Sequence, residues 1–291
     1  MYSKSNLHNI FSTFILVFFL NCSTFFVTPP TPPVKILGTG DIMLHKPQLQ
    51  TAYDPKCKCW KFDSVFTELA PSIKSSDLAI ANLETTLPGD PEKYTGYPDF
   101  GAPDSILDSL NNIGINVITT TNNHSLDKGK SVFKRTIDIL DEKQIPHTGT
   151  FKSENYYNKN RILVLNKNNI KISVLAYTYG LNNPDANLYG IKMNMIDKKL
   201  IAEDIKLARE VSEFIIVYFH FGREYEIFPD LKQRDLVKFT FNEGADVILG
   251  GHPHVIQPFE GYYMADKYGD VKKRLVFYSL GNFISAQTSV Q

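Results

Sequence analysis

The sequence predicts an α/β fold in a single domain, and three observations carry the prediction. Short apolar runs of strand character alternate along the chain with longer segments of helical period. The 291 residues, 43% hydrophobic and 12% aromatic, are enough for one large core. Five of the apolar runs end in a polar cluster. Open α/β sheets carry their sites in this way, beyond the carboxyl ends of the strands.

Val34-Lys35-Ile36-Leu37 predicts the first strand, entering Gly38-Thr39-Gly40-Asp41. Residues 62–75 predict a helix and Asp77-Leu78-Ala79-Ile80-Ala81-Asn82 a strand. Residues 103–113 suit a helix with Pro103 at its start. Val117-Ile118-Thr119-Thr120-Thr121 reads as a strand and residues 129–143 as a helix. Residues 161–165 and 170–176 flank Asn166-Lys167-Asn168-Asn169, a hairpin pattern. Ile201, Ile205, Ala208 and Val211 recur at helical spacing, which makes 196–213 an amphipathic helix. Residues 214–219 predict a buried strand, 231–242 a helix, 246–249 a strand and 274–279 a closing strand. With no internal repeat and no second linker, residues 34–291 read as one domain.

The N-terminus has another composition. Lys4 and the terminal amine precede Phe14-Ile15-Leu16-Val17-Phe18-Phe19-Leu20, a charged region and an apolar run too short to span a bilayer, which needs about 20 residues. Residues 1–22 therefore read as an export signal. Cys22 stands where a lipoprotein would be cleaved and acylated; lipid anchoring and plain secretion both stay open. Residues 23–33, with Thr28-Pro29-Pro30-Thr31-Pro32-Pro33, read as a stiff Thr/Pro-rich linker. The expectation is an exported protein of the cell envelope, attached to the membrane through its N-terminus. Lys+Arg and Asp+Glu are both 31, so no basic excess points to nucleic acid. Cys57 and Cys59 are too few for a structural zinc site, and the sequence leaves open whether they pair or stay reduced.

The clusters at the five strand ends hold the groups that chemistry would use. They are Asp41; Asn82 with Glu84; Asn122-Asn123-His124 with Asp127; His220; and His252 with His254 in Gly250-Gly251-His252-Pro253-His254. The two glycines are expected to let the chain turn tightly. Carboxylate, amide oxygen and imidazole together suit a divalent ion such as Mn²⁺, Zn²⁺ or Fe²⁺ rather than calcium. Arg223 is a candidate to steer an anionic substrate, and Asn282 to line the site or cap a strand. Tyr94-Thr95-Gly96-Tyr97-Pro98 lies in a long polar loop, readable as a lid or as plain surface. A sugar-binding module would need an aromatic-lined groove, and along the sequence Tyr and Phe do not cluster beyond what a core needs.

Six motifs in order resemble the CapA family of bacterial capsule and poly-γ-glutamate synthesis proteins, which has a calcineurin-like metallophosphatase fold. They are Gly40-Asp41-Ile42-Met43-Leu44, Ala81-Asn82-Leu83-Glu84-Thr85, Thr121-Asn122-Asn123-His124-Ser125-Leu126-Asp127-Lys128-Gly129, His220-Phe221-Gly222-Arg223-Glu224-Tyr225, Gly251-His252-Pro253-His254 and Tyr278-Ser279-Leu280-Gly281-Asn282-Phe283. The resemblance covers residues 34–285, and because members of that family often continue past this point, it implies that the final strands of the sheet are missing. It implies a four-layer α/β/β/α sandwich around one or two metal ions, with Asp41, Glu84, Asn123, His220, His252 and His254 as ligands and His124 as the acid that protonates a leaving oxygen. Glu84 stands where the family's superfamily has a bridging Asp. The first motif departs from the pattern, since Met43 occupies the place of a ligating His, with His45 two residues further on. One position would keep Asp41, Glu84 and His254; the other would keep Glu84, Asn123, His220 and His252 and bind more tightly. Two functions follow from the resemblance. One is a metal-dependent phosphoesterase or amide hydrolase acting on a phosphoester or an anionic envelope polymer. The other is a non-catalytic scaffold of a membrane capsule-synthesis complex.

Overall fold

A computed structural model describes residues 32–183 and 185–287, which fall in one compact unit beginning at Pro32. The export signal, Cys22 and all of the linker but Pro32 and Pro33 lie outside the described residues.

Among the described residues, beside two small pairings, Thr150–Phe151 with Lys192–Met193 and Tyr53–Asp54 with Cys59–Trp60, most strands assemble into two large sheets. The first holds β1 (Ile36–Ile42), β2 (Leu78–Leu83), β3 (Val117–Thr119) and β4 (His147–Thr148). The second holds β5 (Leu163–Lys167), β6 (Ile170–Thr178), β7 (Phe214–His220), β8 (Val247–Gly251), β9 (Phe259–Ala265) and β10 (Val271–Phe277). The last strand, β11 (Asn282–Ile284), returns to the first sheet beside β1. The spatial orders are β11-β1-β2-β3-β4 and β9-β10-β8-β7-β6-β5. The first sheet is parallel throughout; in the second, only the edge strands β5 and β9 pair antiparallel. Parallel strands covered on both faces must be apolar on both. That requirement explains runs such as Leu78-Ala79-Ile80-Ala81 and Ile215-Ile216-Val217-Tyr218-Phe219.

The helices are α1 (Lys46–Ala52), α2 (Ala70–Lys74), α3 (Ser105–Asn112), α4 (Gly129–Glu142), α5 (Glu154–Asn160), α6 (Lys198–Val211) and α7 (Leu231–Glu243). Side chains alternate across each strand, and this sorts the core into layers. Ala79, Ala81 and Leu83 of β2 face Ile106, Leu107 and Leu110 of α3. Leu78, Ile80 and Val117 face Val174, Ile216 and Tyr218 of the second sheet. On the far side Val217 and Phe219 pack with Ile201 and Ile205 of α6 and Val237 and Phe241 of α7. The order is helix, sheet, sheet, helix, the four-layer α/β/β/α sandwich that the family resemblance implies.

Local outcomes differ where local chemistry intervenes. The predicted helix over 62–75 splits into a 3₁₀ turn, Asp63–Phe66, and the short α2, because Pro71 has no N–H to continue a helix and fits only its first turn. The hairpin is tighter than its polar run, turning on Asn168 and Asn169 alone, both at positive φ (51° and 64°). Cys57 and Cys59 pair as a disulfide at the tip of a ribbon made of Tyr53–Asp54 and Cys59–Trp60.

Candidate metal centre

The two sheets bring their carboxyl ends to the same edge of the sandwich. Asp41 is the penultimate residue of β1 and sits in register with Asn82 of β2. Glu84 follows β2 by one residue, Asn123 and His124 lie in the turn after β3, and His220 ends β7 in register with Gly251 of β8. Asp41, Glu84, Asn123, His124, His220, His252 and His254 are all buried.

The glycines before the histidine pair have another role than the one the sequence predicts. Gly250 and Gly251 stay in the strand; His252 and His254 are the residues at positive φ, 92° and 59°. A Cβ on Gly251 would come within 2.0 Å of the Tyr218 hydroxyl and 2.6 Å of Asp41 Oδ1. Gly251 therefore lets Tyr218 and Asp41 meet, while the turn is made by the histidines at a cost of roughly 1–3 kcal/mol each in backbone strain.

Asp41 is held on all sides. Asn82 Nδ2 donates to its Oδ1 at 2.8 Å and the Tyr218 hydroxyl at 3.0 Å, while the His252 backbone N–H donates to Oδ2 at 3.0 Å. His254 Nδ1 lies 3.5 Å from Oδ2 and 3.0 Å from Asn282 Oδ1. Asn82 is thus a positioning residue. Its own Oδ1 accepts from Thr119 and Asn122, which turns its amide nitrogen toward Asp41.

The groups around Glu84 are arranged differently. His220 Nε2 lies 2.7 Å from Asn123 Oδ1 and 3.4 Å from Glu84 Oε1. Both Glu84 oxygens and His252 Nδ1 are buried without a hydrogen-bond partner among the described residues. An orphaned buried polar atom costs about 1–3 kcal/mol, and more if charged. Three such atoms beside a buried imidazole and an amide oxygen make a donor set suited to a divalent cation. Two sets bring one ligand atom from each member within 4.8 Å of the others: Glu84, His220 and His252, and Asp41, Glu84 and His254. Glu84 belongs to both. A third set joins the exposed Glu224 to His252 and His254.

Charge follows the same division. Burial, with the neighbouring imidazoles, holds His220 down to about 3 and His252 to about 2, so both offer lone pairs at neutral pH. Burial raises the Glu84 carboxyl, and Asp41 adds to the rise. Burial acts upward on Asp41 too, but the His254 hydrogen bond and the surrounding imidazoles outweigh it and hold Asp41 below the usual carboxylate range. Burial alone would lower His254, yet the Asp41 hydrogen bond and the Glu84 charge push it up to about 9.

His124 stands beside these groups. Its Nδ1 is 2.7 Å from Asp127 Oδ2, which also accepts the Phe100 N–H at 2.7 Å. Burial opposes protonation of His124, and Asp127 outweighs it and raises the pKa. Asn182 Nδ2 lies 3.2 Å and 3.3 Å from the two ring nitrogens, and Asn182 Oδ1 accepts from Asn123 Nδ2 at 2.9 Å. Met43 is buried, its N–H bonded to Ile284 O. His45 is turned elsewhere: Nδ1 accepts the Ala286 N–H at 3.3 Å, and its ring meets Phe100 edge-on at 5.0 Å. Arg223 is exposed and lines a separate cavity of about 560 Å³ together with Lys198 and Lys232. Asn282 orients His254 and does not cap a strand.

Tyr218, Glu224 and Asn182 escape the sequence reading of the site. Tyr218 had a signal, since it is two residues before His220 in a strand and must share its face. Asn182 had none, because its contact depends on how the loop after β6 folds back.

The fold and this cluster define a four-layer α/β protein with a candidate metal centre. The family model of the bacterial capsule synthesis protein PGA_cap matches residues 35–287, and the chain belongs to that family. It is 28% identical over 269 residues to the capsule biosynthesis protein CapA of Bacillus anthracis, with 85% of this chain and 59% of the relative covered. It is 26% identical over 234 residues to the PGA biosynthesis protein CapA of Bacillus subtilis (strain 168), with 77% and 57% covered. The chain thus spans about three fifths of the length of these curated relatives. A Staphylococcus aureus structure, provisionally described as a 5'-nucleotidase and solved with alpha-ketoglutarate, superposes with a TM-score of 0.51 at 12% identity, covering 88% of this chain and 56% of that one. That likeness bears on the fold.

Proposed function

We propose that the chain is an envelope protein of capsule or poly-γ-glutamate biosynthesis or export, with a metal-dependent hydrolase-type centre. Its substrate would be a phosphoester or an amide-linked anionic envelope polymer, and its N-terminus would attach it to the membrane. The observation that carries this reading is the set of partnerless buried atoms, both oxygens of Glu84 and Nδ1 of His252. They are costly in an empty scaffold and useful as ligands. Glu84, Asn123, His220 and His252 would hold one divalent ion, Mn²⁺, Zn²⁺ or Fe²⁺. Asp41, Glu84 and His254 would hold a second.

Such an ion supplies Lewis-acid polarisation and a nucleophilic water near neutral pH. The protein's own groups do the rest. Asn82 and Tyr218 fix Asp41, and Asn282 fixes the ring of His254. Asp127 orients His124 and raises its pKa, which suits it to give a proton to the leaving oxygen. The scaffold reading draws on Met43, which removes a ligand from the Asp41 side.

The test is elemental analysis of the purified protein together with assays on a phosphoester and on poly-γ-glutamate, with and without chelator. Bound metal and chelator-sensitive cleavage are expected. Metal-free protein that still supports capsule formation would decide for the scaffold.

A further inference from the structure

A cleft of about 700 Å³ opens between α1, the disulfide-closed ribbon and the polar loop. The residues of its lining that matter are Lys46 and Gln50 of α1, Tyr53 and Trp60 of the disulfide-closed ribbon, and Tyr94 and Tyr97 of the polar loop. The aromatic residues scattered in the sequence do gather here. The Trp60 ring lies 4.9 Å from Tyr53 at 53° and 4.9 Å from Tyr94 at 90°, so three rings form a corner. Tyr53 is 40% exposed and Tyr97 76%. Rings this open do little for the core.

The corner is built to hold its shape. A two-stranded ribbon is marginal by itself. Here Tyr53 and Trp60 are cross-strand partners, the Cys57–Cys59 disulfide closes the tip, and the Asp54 carboxylate accepts from the Lys56 N–H and from Lys61 Nζ at 2.9 Å and 2.8 Å. The polar loop is pinned to the start of α1, where a Cβ on Gly96 would come within 2.7 Å of Lys46 N. Lys46 is the only charged side chain in the lining. Two ring contacts lead from the edge of the cleft toward the candidate centre. His45, next to Lys46, meets Phe100 at 5.0 Å, and Phe100 meets His124 at 4.7 Å.

Aromatic corners with one ammonium group and no carboxylate fit a ligand that has flat C–H faces, hydroxyls and one negative charge. A pyranose ring offers such faces to the aromatic rings, its hydroxyls suit the Gln50 amide, and a ring carboxylate suits Lys46. A γ-glutamyl chain has the carboxylates but no ring face. We infer that the cleft is a subsite for an acidic pyranose, a hexuronate unit of a polysaccharide. The inference rests on the cleft and stands apart from the reading of the metal site.

Trp60 is the sole tryptophan of the chain, so its emission reports on this cleft alone. The full chain is titrated with a glucuronate-containing tetrasaccharide, a neutral glucose tetrasaccharide and a γ-glutamyl tetramer, each with and without chelator. A saturable emission change is expected with the acidic sugar and is independent of chelator, which separates this result from any failure of the metal reading. Tyr94→Ala weakens binding about tenfold, the upper end for a lost ring contact, whereas Tyr94→Phe keeps it. Lys46→Gln brings the acidic sugar down to the level of the neutral one. The inference is overturned if no sugar gives a saturable change. Equal binding of acidic and neutral sugars to the native chain would also overturn it, as would a γ-glutamyl tetramer that binds as well as the acidic sugar. So would a loss on Tyr94→Ala that Tyr94→Phe shares.

Discussion

The two halves of the site are built from the same residue types and arranged to opposite ends. Around Asp41 both carboxylate oxygens have protein donors, and His254, pushed up to about 9, lies 3.5 Å from Oδ2. Around Glu84 both carboxylate oxygens and His252 Nδ1 are left bare. In the first half protein groups meet the carboxylate; in the second, among the described residues, three buried polar atoms stay unpaired. Met43, two residues after Asp41, stands where the resemblance implies a ligating His, so the position expected to be a ligand short is also the one whose carboxylate protein donors satisfy. This comparison teaches that sharing Glu84 does not make two metal positions equal, and it predicts unequal affinities.

The largest effect belongs to the residue common to both halves. Glu84→Ala should abolish metal binding, lowering affinity by more than the 10–100-fold typical of an outer-sphere partner, and any turnover should vanish with it. Elemental analysis after gel filtration reads the metal. His124→Asn comes next. Metal content should be unchanged while turnover falls by roughly 10²–10⁴-fold. If capsule formation in a deletion strain is restored equally by native and His124→Asn protein, proton donation at this site is not the function, and the scaffold reading prevails.

How much of this was legible depends on the element. Buried parallel strands such as Phe214–His220 announce themselves as apolar runs, and their polar ends point to the site. The edge strand Phe259–Ala265 was hidden because both of its faces carry aromatics, with Glu260 and Tyr262 turned inward. The three-residue strand Asn282–Ile284 is too short to show a period, although its Asn282 orients His254. Convergence of Asp41, Glu84, Asn123, His220, His252 and His254 could be expected from their shared position after strands. Which of them would be satisfied by protein could not, because the donors come from Tyr218 and from backbone that only folding brings near. Clustering of Tyr53, Trp60 and Tyr94 was likewise out of reach of the sequence, since it needs the ribbon and the polar loop to meet.

Two further measurements sharpen the contrast between the halves. The native chain should bind one ion tightly, and Met43→His, by returning a ligand to the Asp41 half, should raise the stoichiometry toward two by isothermal titration. Equal occupancy of both positions in the native chain would break the comparison. The pH dependence has a definite sign. His254 is raised to about 9 from 6.5, so its stabilising proton is fully present below about pH 6.5 and lost as pH rises through 9. Glu84, raised by burial, acts in the same direction. The metal-free protein should therefore lose stability from pH 6.5 to 9. Metal binding at pH 7 should release protons and tighten as pH rises, because ligands must be deprotonated. Calorimetry in buffers of different ionisation enthalpy reads the release.

The smallest expected effect tests the Asp41 half by itself. Tyr218→Phe removes one donor from Asp41 Oδ1 and leaves Asn82 at 2.8 Å on the same oxygen. A hydrogen bond to a charged group contributes about 1.5–3 kcal/mol, and the remaining donors should hold the loss near the lower figure. Gly251 keeps the phenol ring in place, since the space against it is already closed. The variant should melt a few degrees lower in the metal-free state, with the Glu84 half still binding its ion as before. A loss that appears only in metal-loaded protein would mean that Asp41 spends its lone pairs on an ion after all. The two halves would then differ in occupancy, not in construction.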